Sequence, residues 1–319
     1  MTLSPSKRPC STRSSNRRRS NRRSSNRRGS NRPGSNRLVG AAGAVALAVG
    51  TIGAVAPAGA ATGTLTYTCA VPTLGDQQFT MVADTDAPKK IAFGETVTPT
   101  ATGTVTTPES VATFVRDTIG AKKVDGKADV ASTVDGAASP WTLAVPKTNV
   151  PPNGPLTLVG TGPAGTFEGT KVGNVYDIAV GGFVATVNFY DANDTPRVPP
   201  FAQIPCTLNP GQHPAVDTIA VVKDTTTTTA TAKDIKKGAK AKAKVRVAAE
   251  HGTTPKGKIK AKLVRNGKVW QTKVLTLRDG VRKVTFQRIH VKGTFKVRVK
   301  YVGRESWKGS RAVDPFTVG

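Results

Sequence analysis

Cysteine, histidine, aromatic residues and acids are all scarce in this 319-residue chain. It has three cysteines, three histidines and three tryptophans, and aromatic residues make up 5% of the total. His213, His251 and His290 stand far apart, with no His-x-x-x-His or Cys/His spacing, which argues against a zinc site. The 32 glycines form neither a Gly-x-Ser-x-Gly nucleophile elbow nor a phosphate-cradling loop. Trp141, Trp270 and Trp307 are too dispersed for a sugar-stacking platform and read as core or edge residues. No acid occurs in the first 37 positions, no charge of either sign between 38 and 75, and no apolar run of bilayer-spanning length after residue 56. Catalytic carboxylate pairs stay open, because spatial proximity is invisible in a sequence. Most acids of the middle region sit in turn contexts such as Asp125-Gly126 and Asp135-Gly136, where Asp serves the backbone. The stretch Asp191 to Asp194 reads as a hairpin turn, with a calcium loop as its alternative. No cofactor and no metal are expected.

The charge that is present is uneven. Residues 1–37 carry twelve basic residues, and Ser-Asn-Arg recurs there from Ser15, Ser20, Ser25, Ser30 and Ser35. No hydrophobic pattern accompanies the repeat, so it cannot build a core. An apolar stretch follows from Leu38 and ends in Ala58-Gly59-Ala60, a small-x-small site for signal peptidase with Ala61 starting the mature chain. Residues 1–60 therefore read as a basic arm plus signal peptide. A nucleic-acid-binding tail is the alternative for the arm, and membrane retention the alternative if residues 38–56 stay uncleaved.

Residues 38–216 carry nine basic and thirteen acidic side chains, whereas residues 217–319 carry twenty-six and seven. That step suggests two bodies with different surfaces, the second drawn to polyanions or, on the plainer reading, merely kept soluble by its charge. Cys10 lies in the arm. Cys69 and Cys206 remain as an even pair in an oxidising compartment and read as one disulfide bracketing 138 residues. Loop-closure entropy puts such a bond at up to about 5 kcal/mol. Thr68 precedes Cys69 where lipoprotein processing needs Gly or Ala.

The fold class expected is all-β with one short helix: two β-sandwich domains, the second immunoglobulin-like, preceded by a signal peptide. In residues 61–213 apolar residues alternate around Phe79, Trp141, Leu156 and Val184, with Gly, Pro, Asn and Asp between the runs. One segment breaks the alternation. Thr107 suits an N-cap, Pro108 a first helical position and Gly120 a stop, with Val111, Phe114, Val115 and Ile119 on one face. Residues 214–224 read as a linker. From 225 to 319 alternation is strong, as in Lys240, Lys242, Lys244 and Arg246 against Ala241, Ala243, Val245 and Val247. Arg265-Asn266-Gly267-Lys268 is a type I′ hairpin signal, and Arg278-Asp279-Gly280 a second turn. Six or seven short strands in about 95 residues suit an immunoglobulin-like sandwich.

The stretches Thr254-Pro255-Lys256-Gly257, Arg265-Asn266-Gly267-Lys268, Lys292-Gly293-Thr294-Phe295 and Tyr301-Val302-Gly303, with Trp307 after them, resemble the bacterial immunoglobulin-like repeats of surface proteins. That resemblance covers roughly residues 225–319 and implies that the third and sixth strands are neighbours. Lys258, Lys260 and Lys262 would then lie beside Lys296, Arg298 and Lys300 on one outward face. The first domain resembles a β-rich domain of secreted proteins from high-GC Gram-positive bacteria, carried by Tyr67-Thr68-Cys69, Gly94-Glu95 and Pro205-Cys206-Thr207. That likeness implies export and a cysteine bridge, and no activity.

These readings converge on a secreted or cell-surface, non-enzymatic structural or adhesion protein. Its basic domain would bind an anionic cell-wall polymer, an acidic glycan or an anionic membrane surface, and nucleic acid only non-specifically. The alternative is a secreted enzyme or inhibitor domain in residues 61–213, localised by the basic one.

Overall fold

A side-chain period of two runs through most of the chain, and the architecture follows from it. The segment Lys240–Ala249 buries Ala241, Ala243, Val245 and Val247 while every basic residue between them points to solvent. The computed structural model describes residues 61–197 and 202–319. The basic arm, Cys10, the apolar segment and Ala58 and Ala60 lie outside the described residues. Ala61 is the first of them, exposed and without regular structure.

The first body contains β1 (Leu65–Val71), β2 (Gly75–Thr85), β3 (Lys90–Ala92), β4 (Thr96–Val97) and β5 (Thr100–Thr106). Next come α1 (Glu109–Thr113), which runs into one π-helical turn at Phe114–Thr118, and β6 (Lys123–Val134), β7 (Ala137–Ala138) and β8 (Trp141–Asn149). It is completed by β9 (Thr157–Pro163), β10 (Phe167–Glu168), β11 (Val175–Tyr190), β12 (Ala202–Leu208) and β13 (Ala215–Val222). Eight antiparallel strands follow one another as β11, β12, β1, β2, β5, β9, β8 and β6, and β6 pairs back onto β11. The two faces of the sandwich thus join into a closed ring, which leaves those strands no free edge. The sixteen-residue β11 serves three partners. Its first part pairs with β13, its second with β12, and β6 runs along the other side. The division falls at Gly181 and Gly182, where the register to β6 also shifts.

Two expectations need correction here. Residues 214–224 are not a linker: Ala215–Val222 is a strand hydrogen-bonded to β11, and Val216, Ile219 and Val221 are buried in the first core. Its β-branched residues Val216, Thr218, Ile219, Val221 and Val222 suit a strand, and the covalent connection shrinks to Lys223, Asp224 and Thr225. Thr107 is not the helix cap. It is buried and pairs with Leu156, its amide donating to the Leu156 carbonyl (2.9 Å) and its hydroxyl accepting from the Leu156 amide (3.3 Å). Pro108 takes the cap position in extended geometry, and Val111 and Val115 still turn inward.

Tyr67, Met81, Trp141 and Phe183 anchor the ring's core. Tyr67 packs edge-on to Phe183 at 5.0 Å, and its buried hydroxyl has no hydrogen-bond partner among the described residues. Burial pushes its pKa upward. An unsatisfied buried hydroxyl costs about 1–3 kcal/mol. Tyr67→Phe is therefore expected to match the parent or exceed it by about 1 kcal/mol in a denaturant melt. A clear loss of stability would show that the hydroxyl has a partner in solution.

The second body contains β14 (Thr226–Ala232), β15 (Lys240–Ala249), β16 (Lys258–Arg265), β17 (Lys268–Thr276), β18 (Val281–Arg288), β19 (Gly293–Tyr301) and β20 (Ser310–Val318). They form two sheets, β14-β15-β18 and β17-β16-β19-β20, packed over Ile259, Leu263, Phe286, Phe295 and Tyr301. This seven-stranded sandwich is immunoglobulin-like in layout. Asn266 (φ 46°) and Gly267 (φ 77°) make the type I′ turn that joins β16 to β17.

The two bodies meet around β3 and the turn after it. Phe93 stands edge-on to Trp307 at 5.6 Å, and Trp307 donates from Nε1 to Thr253 Oγ1 (2.9 Å). Gly94 approaches so closely that a Cβ there would lie 2.4 Å from the Thr253 methyl. Glu95 Oε2 lies 3.8 Å from His251 Nε2.

Candidate functional site

β16 is a central strand of the four-stranded sheet, so its outward residues have cross-strand neighbours on both sides. Lys260 stands opposite Lys300, and Lys262 opposite Arg298. Lys296 faces Val264, and Lys258 lies one step beyond the Ile259–Tyr301 pair. Four of the six cations singled out in the sequence are therefore directly opposed, and the other two extend the group at opposite ends. Arg311 on β20 faces Lys300, so Lys260, Lys300 and Arg311 form one row across three strands. Neighbouring strands run about 4.8 Å apart, and like charges held directly opposite one another destabilise a sheet. Among the described residues no salt bridge reaches any of these side chains. Lys262 is half-buried and the other five are exposed. Val274 beside Lys260 and Val313 beside Arg298 are more than half exposed.

The opposite sheet repeats the pattern. Lys240, Lys242, Lys244 and Arg246 are exposed along β15, and Lys244 faces Lys283 on β18. The sequence reading placed these side chains outward but did not count them in the site, although their alternation matches that of Lys258 to Lys262. Both outer faces of the sandwich are therefore basic. Ammonium is a compact point charge with no planar fork, so the surface recognises negative charge more than shape. Trp270 lies on the edge strand β17, with the Arg265 guanidinium 5.7 Å from its ring, and does not join the cationic rows.

Cys69 and Cys206 face each other across β1 and β12 and form a buried disulfide. The turn at Asp191 is a hairpin turn: Asp191 Oδ1 accepts from the amides of Asn193 and Thr195, both at 2.9 Å, which holds its carboxyl below the usual range. Asp194 is drawn to Lys123 (3.0 Å) and Lys147 (3.1 Å), which lower its pKa.

One group escaped the sequence reading. Asp224, Glu250 and His251 bring potential metal-ligand atoms within 4.8 Å of one another. The fully buried Asp224 accepts through Oδ1 from His251 Nδ1 at 2.8 Å and through Oδ2 from the His251 amide at 3.3 Å. Those contacts commit Asp224 and His251 to each other. The Asp224 hydrogen bond, reinforced by Glu95 and Glu250, raises the His251 pKa. No sequence spacing signals this group, because Asp224, in the connection between β13 and β14, is far along the chain from the adjacent Glu250 and His251 in the turn after β15.

A family of unknown function (DUF6801) matches residues 66–217, the ring and the start of β13. No curated protein matches the chain. Among solved structures, a putative membrane anchored protein from Corynebacterium diphtheriae is 12% identical with a TM-score of 0.32. The alignment covers 81% of this chain and 58% of that one, so this chain spans little more than half its length. The D0–D1 domain of intimin is 13% identical with a TM-score of 0.21, covering 73% of this chain and 96% of that one. The FN1–FN3 domains of chicken CNTN1 are 11% identical with a TM-score of 0.22, covering 82% and 95%. At such identities and scores the likenesses carry no functional weight. Residues 66–217 are thus similar to a family without an assigned activity, and the basic sandwich that follows lies outside that match.

Proposed function

We propose that this chain is an exported, non-enzymatic structural or adhesion protein of the cell envelope, held to anionic envelope polymer by its basic sandwich. The observation that carries the reading is the opposed quartet Lys260, Lys300, Lys262 and Arg298, which is exposed or half-exposed and matched by no carboxylate among the described residues. A polyanion laid across those rows relieves the repulsion between them and releases its own counterions. The basic β15–β18 face adds attraction from the other side. The buried disulfide supports an oxidising, extracytoplasmic setting, as does the resemblance to repeats of surface proteins. Support for a non-enzymatic role comes from the conspicuous first-body acids, which are engaged in structure: Asp191 by amides, Asp194 by lysines, Asp125 by Asn188 and Tyr190.

The test compares the whole chain with a variant carrying Lys260→Gln, Lys262→Gln, Arg298→Gln and Lys300→Gln, on isolated cell walls and on heparin. The parent should be retained at low salt and released as salt rises. The variant's log-log salt slope should be shallower by about 3, from four lost contacts at roughly 0.7–0.9 each. Equal slopes for the two proteins would remove the quartet from the binding surface, and retention that ignores salt would remove charge as the cause.

A further inference from the structure

The sandwich turns two separate outer faces to solvent, and both are cationic. On the β14-β15-β18 side, Lys240, Lys242, Lys244 and Arg246 stand in line along β15, all exposed. Alternate residues of a strand lie about 6.8 Å apart, so the line is about 20 Å long. Exposed threonines flank it. Thr229 faces Arg246, Thr231 faces Lys244, and Thr285 faces Lys242 from β18. Their hydroxyls place hydrogen-bond donors beside the charges. The other face carries the opposed quartet on β16 and β19, with Arg311 beside it. Among the described residues no ion pair includes a cation of either face.

The acids of this body keep off both faces. Asp234, Glu250, Asp279 and Glu305 lie in turns and connections, and Asp224 is buried. Asp314 lies within β20, on its half-buried side. It accepts from the Ala232 amide at 2.5 Å, and Asp234 accepts from the Thr317 amide at 2.5 Å. Both carboxylates therefore lie along the edge where β14 meets β20. At the opposite edge β17 exposes Val269, Trp270 and Val274, while Lys273 and Arg282 on the strands that meet there are half-buried. One boundary between the faces is thus acidic, and apolar side chains interrupt the other.

Distance keeps the faces independent. Packed sheets lie about 10 Å apart and their outward cations point away from one another, whereas charges in physiological salt are screened beyond about 8 Å. A polyanion on one face therefore neither neutralises the other face nor repels a second chain from it. A single chain serving both would have to double back round an edge, and the like charges along it resist that bend.

We infer that the sandwich holds two linear polyanions at once, one across each outer face, and so cross-links envelope polymer as well as anchoring the chain to it. This rests on the reading that the sandwich binds anionic polymer, and adds that its faces act as two sites.

Lysine acetylation of the whole chain, read by mass spectrometry, tests the two readings separately. The probe is a heparin tetrasaccharide, too short to pass from one face to the other. At saturation it should protect Lys240, Lys242 and Lys244 almost completely, and Lys260, Lys262 and Lys300 to the same extent, because both faces are filled in the same molecule. The variant carrying Lys260→Gln, Lys262→Gln, Arg298→Gln and Lys300→Gln should keep its β15 midpoint within about two-fold of the parent's, as expected for distant sites. Protection of one set alone, or of each set by only half, overturns the two-site inference and leaves the anchoring reading standing. A larger shift of the β15 midpoint in the folded variant does the same. Protection of neither set overturns both readings. The parent's pattern decides the matter by itself if the variant does not fold.

Discussion

Replacing Cys69 and Cys206 together by alanine is expected to lower the unfolding free energy by about 3–5 kcal/mol. The bond spans 137 positions, and in the chain-entropy model a closure of that length constrains the unfolded chain by close to 5 kcal/mol. The lower end of the range allows for residual structure in the unfolded chain. Local packing adds to the effect, because both cysteines are buried and each substitution removes a sulfur from the core. The place of the bond matters as much as its length. The bridge joins Cys69 to Cys206 across the β1–β12 pair, and β12 is in turn paired with β11 at Cys206 and Phe183, so it fixes one seam of the ring covalently. A fall of that size is a large fraction of the 5–15 kcal/mol that holds a typical domain together. Denaturant melts of the parent, the parent under reductant and the double variant decide the matter. The reduced parent and the double variant should lose stability together. An unchanged midpoint in both would mean that strand pairing alone carries the ring.

Removing the Asp224 carboxylate should produce the second large effect. Hydrogen bonds to a charged group contribute about 1.5–3 kcal/mol each, and the longer of the two that His251 makes is the weaker, so Asp224→Ala is expected to cost about 2–3 kcal/mol. The loss should depend on pH. His251 faces Asp224, Glu95 and Glu250, and the Asp224 hydrogen bond raises its pKa above the ordinary 6.5. A raised folded-state pKa means that the folded protein holds the proton more tightly than the unfolded chain. The resulting stabilisation is fully present below pH 6.5 and is lost as pH rises through the raised folded value. Proton NMR of the three histidine rings checks the sign, since His251 should titrate with a midpoint above 6.5 and Asp224→Asn should bring it down. A parent midpoint at or below 6.5 would dissolve the argument. Because Glu95 belongs to the first body and His251 to the second, the pair also couples the ring to the sandwich, and the pH dependence should extend to their junction.

Some of this could be read before any coordinates. The alternation from Lys240 to Val247 shows strand and face together, because successive side chains in extended backbone point opposite ways. Asn266-Gly267 announces its turn because both residues tolerate positive φ. The pairing of Cys69 with Cys206 follows from counting thiols in an oxidising setting. The misreadings have equally local causes. Residues 214–224 follow a proline and glycine-rich stretch and so looked like connection, while the burial of Val216, Ile219 and Val221 against β11 is a fact about distant residues. Thr107 has the chemistry of a cap, and burial beside Leu156 outweighs it.

Strand identity, turn type and the outward placement of the cations are properties of neighbours along the chain, set by backbone sterics and a period of two. Closure of β6 onto β11, the opposition of Lys260 to Lys300 and Lys262 to Arg298, and the contact of Asp224 with His251 are not. Each joins segments whose meeting depends on which apolar faces find one another and in what register. A slip of one residue would turn every side chain over without changing any local preference, so these features took shape only when the sheets packed.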